Sequence, residues 1–104
     1  MTPAEYQRKT SVFAVYPKDN ELPYLSLGLA AEAGEVADKI AKYYRGDKEL
    51  TLEDLRKELG DCLWFVSQFC NRYNWTLEEL MQENIFKLAD RQARGKIVGN
   101  GDNR

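Results

Sequence analysis

The chain has no histidine in 104 residues, only two cysteines and three prolines, and no long apolar run. Each shortage removes a class of function. Without imidazole there is no Ser-His-Asp or Cys-His catalytic set and no histidine-ligated metal. A di-iron bundle built on Glu-x-x-His pairs is disfavoured for the same reason. Cys62 and Cys70 fall in one predicted helix, about 12 Å apart along its axis, too far for a disulfide, so both are expected as reduced core residues. No segment approaches the roughly 18 apolar residues that span a bilayer, and the N-terminus lacks the order of a secretory signal. A cytoplasmic protein with no membrane partner is expected. A net charge of −2 argues against wrapping a nucleic-acid polymer. What remains for chemistry is carboxylate, lysine, arginine and bound metal.

Apolar residues make up 43% of the chain and charged residues 31%, the balance of a folded, water-soluble protein. The length suits one domain, expected over residues 1–97, with a loose tail at 98–104 that is rich in glycine and asparagine. Four helices can be placed by their start and stop signals. Thr2-Pro3-Ala4-Glu5 reads as a capping box with proline at the first helical position, opening a helix to about Val12 or Phe13. After a turn through Tyr16–Asn20, a second helix starts near Leu22-Pro23, carries Leu25, Leu29, Val36 and Ile40 at helical spacing, and ends before Gly46. Thr51 caps a third, running to about Tyr73, and Thr76 a fourth, stopping near Arg94-Gly95. No strand pattern competes, so the class is all-α. From Cys62 to Val66 the third helix is apolar on every side, which calls for burial all round. A four-helix chain of this size achieves that by packing against a second copy, so a homodimer or dimer of dimers is expected to complete the bundle.

Two acidic pairs stand out, Glu32 with Glu35 and Glu58 with Asp61. Residues three or four apart are neighbours on a helix, where like charges repel. Glu32 has Gly28, Leu29 and Val36 at those offsets, and Asp61 has only Lys57 as a basic neighbour. A divalent ion relieves such repulsion, since magnesium takes several carboxylate oxygens around one centre. Counting alone does not decide, because 17 acidic residues give roughly three pairs at this spacing by chance. Placement is more telling: both pairs sit mid-helix beside apolar residues, on consecutive helices that a short connection makes antiparallel. Spacing by itself leaves a metal site and solvated acidic faces both open.

Gly28-Leu29-Ala30-Ala31-Glu32-Ala33-Gly34-Glu35-Val36, then Glu58-Leu59-Gly60-Asp61-Cys62-Leu63-Trp64, resemble the two acidic helices of the all-α nucleoside triphosphate pyrophosphohydrolases. This superfamily includes MazG, dimeric dUTPase, dCTP pyrophosphatase and phosphoribosyl-ATP pyrophosphohydrolase, and the short MazG-like type is the nearest in pattern. Glu5-Tyr6-Gln7 is similar to that group's N-terminal motif, and Asn84-Ile85-Phe86-Lys87-Leu88 with Arg91 and Arg94-Gly95 to its closing pattern. Cys62, where valine or leucine is usual, and Lys9-Thr10-Ser11 depart from it.

The resemblance implies magnesium-dependent hydrolysis of a (deoxy)nucleoside triphosphate to the monophosphate and pyrophosphate, by water attack at the α-phosphorus, in cleaning or balancing the nucleotide pool. Glu32, Glu35, Glu58 and Asp61 would hold magnesium, with manganese as a substitute, and Glu35 would be the general base. Lys87, Arg91 and Arg94, at i, i+4 and i+7, form a basic stripe for phosphate oxygens or a solvated helix end. Lys39 and Lys42 would reach the outer phosphates, Asn84 the sugar or a phosphate, and Gln7 and Trp64 the base. The alternatives are a dUTP- or dCTP-specific pyrophosphatase and, in another class, a non-catalytic nucleotide-binding or regulatory helical module.

Overall fold

Threonine caps start two of the helices, with half of the expected capping box at Thr2 and a complete one at Thr76. The Thr2 hydroxyl accepts the Glu5 amide at 3.1 Å, with Pro3 first in α1 (Pro3–Thr10). At the other end of the chain, Thr76 and Glu79 form a reciprocal capping box with both bonds at 3.1 Å, opening α4 (Leu77–Ala93). The computed structural model describes residues 1–104 and contains helices and turns but no strand. α1 stops short of Val12, and a tight turn carries the chain through Ser11–Phe13 instead.

The long second helix, α2 (Glu21–Arg45), tolerates Pro23 because its first turn needs no amide donor. It ends on Gly46 at φ 87°, a left-handed conformation that glycine adopts without steric cost. α3 (Leu52–Tyr73) follows Thr51, whose extended backbone starts the helix although its hydroxyl caps no amide. Asn74, at φ 61°, turns the chain from α3 into α4.

The packing centre lies between α2 and α3. Leu25, Phe65 and Tyr16 form its buried nucleus, with Leu29, Trp64 and Phe69 against them. Gly28 makes the close approach: a Cβ there would sit 2.2 Å from the Phe65 ring. Gly34 faces open space, so the small-residue stretch of α2 packs at one end only. Polar groups inside the fold are paired, Thr10 with Ser67 at 2.8 Å and none left without a partner.

The single chain does not close into a bundle. Its radius of gyration is 16.5 Å, against about 13 Å for a compact domain of this length. α4 is held mainly at its start, where Leu77 is buried, and Ile85 and Phe86 remain more than 60% exposed. Within the all-apolar stretch of α3, Phe65 is buried but Leu63 is 45% exposed, so burial all round is not reached in one copy.

Candidate functional site

Gly28 against Phe65 and Lys39 against Glu58 set α2 and α3 antiparallel, so the middle turn of α2 faces that of α3. Glu32 comes from one side, Glu58 and Asp61 from the other. One carboxylate oxygen from each lies within 4.8 Å of the others, with Glu32 and Glu58 half-buried and Asp61 exposed. Glu35 does not join them. Three residues further along α2, it is offset by about 60° around the helix axis, and it lines a narrow groove with Lys39, Lys42, Lys48 and Asp54. Of the four expected carboxylates, three therefore converge.

The electrostatics of this group are unbalanced. Burial, the hydrogen-bonding Glu58 carboxylate and then Asp61 push the Glu32 carboxyl above its ordinary range. Lys39, with its ammonium 3.6 Å from Glu58, is the one cation in salt-bridge reach of the three acids. Lys42 is engaged elsewhere, 2.7 Å from Asp38. The Cys62 thiol beside the group is held up first by burial and then by the three carboxylates, which favours its protonated form. α1 brings Tyr6 to the edge of the site, where burial and then Asp61 raise its phenol. An all-oxygen, multiply negative donor set of this kind fits a hard divalent cation.

The other expected site residues lie apart from this centre. Lys87 and Arg91 do share a face of α4, and both meet Asp102 of the tail, whose Oδ1 lies 2.8 Å from Lys87 Nζ and 3.1 Å from Arg91 Nη2. Arg94 donates to Asp90 at 2.8 Å and to the Arg104 main-chain oxygen at 2.7 Å. Asn84 is exposed and lines a groove between α3 and α4 with Lys87 and Asp102. No ion pair or hydrogen bond joins this stripe to the three carboxylates of the same chain.

Gln7, expected as a reader of the base, is engaged within the fold. Its Nε2 donates to Asn71 Oδ1 at 2.9 Å and to the Trp75 carbonyl at 2.8 Å, while its Oε1 accepts the Leu77 amide at 2.8 Å. Its whole amide thus fastens α1 to the α3–α4 turn and leaves no donor for a ligand. Trp64 likewise belongs to the packing centre, edge-on to Tyr16 and Phe65, with its indole donating to the Thr10 carbonyl at 3.3 Å. Sequence reasoning missed Lys48 and Asp102. Neither has a local signal, since each acquires neighbours only when a turn or the tail folds back.

The chain matches the family model described as the MazG nucleotide pyrophosphohydrolase domain over residues 22–95, a span from the first turn of α2 to just past α4 that contains both acidic pairs. It is similar to the Gene 37 protein of Mycobacterium phage L5, with 41% identity over 109 residues covering 95% of this chain and 96% of that one. No solved structure matches it significantly.

Proposed function

The chain belongs to the MazG nucleotide pyrophosphohydrolase family, and from that premise we propose that it hydrolyses (deoxy)nucleoside triphosphates to the monophosphate and pyrophosphate, using magnesium. The observation that carries this reading is the convergence of Glu32, Glu58 and Asp61 from two helices with one lysine beside them. Three carboxylates against one ammonium leave negative charge that a divalent ion neutralises.

In this reading Glu32, Glu58 and Asp61 hold the ion. Magnesium there would supply charge neutralisation for the triphosphate and lower the pKa of the attacking water. Glu35 makes no salt bridge and stands one turn from Glu32, so its carboxylate is assigned the proton of that water. Lys39, Lys42 and Lys48, which share the groove with Glu35, are assigned to the outer phosphates, and Asn84, Lys87, Arg91 and Arg94 to phosphate or sugar oxygens. The apolar faces around Leu63, Ile85 and Phe86 are assigned to a second copy, which closes the bundle. Removal of unwanted nucleotides is the role such chemistry serves.

The test is a product assay across a nucleotide panel with and without magnesium. Pyrophosphate and monophosphate are expected, in equal amounts and only with the metal. Release of orthophosphate from the γ position, or equal turnover in chelator, rejects the proposal.

A further inference from the structure

The residues beyond α4 are a built loop. Gly95 and Gly101, at φ 67° and 85°, let the chain reverse. The Arg104 guanidinium then clasps the loop shut, donating to the carbonyls of Lys96 at 3.0 Å, Ile97 at 3.0 Å and Gly101 at 2.6 Å. That closure delivers Asp102 onto the two cations of α4. Its carboxylate meets Lys87 and Arg91 together, and its main-chain oxygen accepts from Arg91 as well. Arg91 is left with only 7% of its side chain exposed. Two cations one helical turn apart, converging on one anionic group, is the arrangement that binds a phosphate.

We propose that the loop is an internal competitor for phosphate: Asp102 occupies the Lys87–Arg91 pair in the resting protein, and a triphosphate group must displace it. The proposal rests on assigning that stripe to phosphate, as above. A tethered carboxylate acts at a millimolar effective concentration, enough to hold a weak pair closed. A triphosphate carries more charge than one aspartate and displaces it, but at a reduced apparent affinity, since only the open fraction of the protein binds. The contact therefore raises the substrate concentration needed without touching the carboxylate centre on α2 and α3.

The test titrates inorganic tripolyphosphate, with magnesium, into the wild-type chain, Asp102→Asn, Asp102→Ala and Lys87→Ala, read by calorimetry, alongside KM and kcat for a nucleotide that is turned over. Both Asp102 variants are expected to bind tripolyphosphate about three- to tenfold more tightly and to lower KM by a similar factor with kcat unchanged, as for a site closed 70 to 90% of the time. Lys87→Ala should weaken binding. If the Asp102 variants bind as the wild type does while Lys87→Ala binds less well, the stripe takes phosphate and the competition is wrong. If Lys87→Ala is also without effect, the phosphate assignment of α4 and the competition fail together. Tighter tripolyphosphate binding by the Asp102 variants in a protein that turns over no nucleotide supports the competition and rejects the hydrolase.

Discussion

Gly28 and Phe65 pack so closely that a single methyl group on Gly28 would lie 2.2 Å from the aromatic ring. This contact sets how near α2 and α3 come, and hence whether Glu32 can meet Glu58 and Asp61. Alanine would gain about 1 kcal/mol of helix propensity at this position, but the forced separation should cost more, about 1 to 3 kcal/mol of overpacking. Gly28→Ala is therefore expected to lower the urea midpoint and to weaken divalent-ion binding together. Gly34→Ala, where nothing lies within 4 Å, should instead stabilise the chain by up to about 1 kcal/mol. A clear loss of stability in Gly34→Ala would mean that another surface covers this face, as a second copy would.

Caps and periodicity were legible because they are local. Thr2-Pro3, Gly46 and Thr76 each act within a few residues, and the helices begin and end close to where those signals place them. The three converging carboxylates follow from helical spacing plus antiparallel packing, and were legible to that extent. Glu35 was not separable from them, since a 60° offset around an axis decides nothing until the partner helix is in place. The bonding of Gln7 was hidden for a related reason: its partners Asn71, Trp75 and Leu77 are more than 60 residues away. The splaying of α4 was equally hidden, because an apolar face on a helix reads the same whether its own chain or a second copy covers it.

The carboxylate group predicts opposite effects of one substitution with and without metal. Glu32→Gln removes one of three like charges, so in chelator at neutral pH the variant should unfold at a higher temperature than the wild type. On adding millimolar magnesium the order should reverse, because only the wild type retains the ligand set and gains stability from binding. Asp61→Asn should behave in the same way and lose turnover with its helical content unchanged. Thermal melts across a magnesium series check this, and a magnesium shift of equal size in all three proteins would remove the ion from this site.

Glu21 ties the start of α2 to two other parts of the chain. Its carboxylate accepts the Tyr16 hydroxyl at 2.6 Å and lies 3.2 Å from Lys18 and 3.1 Å from Arg72. The Tyr16 hydrogen bond first, and then the two cations, hold its carboxyl below the ordinary value of 4.5. A depressed carboxyl adds stability that is fully present above its unfolded pKa and is lost as pH falls through the folded one. Glu21→Gln should therefore be less stable than wild type near neutrality, by about 1 to 3 kcal/mol for hydrogen bonds to a charged group. The gap should narrow as pH falls below 4.5 toward the depressed folded value, where the wild-type carboxylate is protonated. Urea unfolding at pH 7, 5 and 3.5 tests the sign, and a constant gap would show that the charge is not its source.

Gln7 separates a structural brace from a base-reading side chain. In the fold its amide satisfies the Leu77 N–H, the first amide of α4, and Leu77 is itself buried. Gln7→Ala removes three hydrogen bonds and leaves that donor without a partner, a loss of about 1 to 3 kcal/mol for the unsatisfied group alone. Because little else holds α4, the damage should be local. Hydrogen exchange is expected to speed up through the first turns of α4, while the α2–α3 pair that carries the carboxylates keeps its protection. Nucleotide preference should stay as it was, with any loss of turnover spread evenly over the bases. A variant that folds as stably as wild type but changes which nucleotide it prefers would return Gln7 to the role of base reader and leave the start of α4 to be held by Leu77 packing alone.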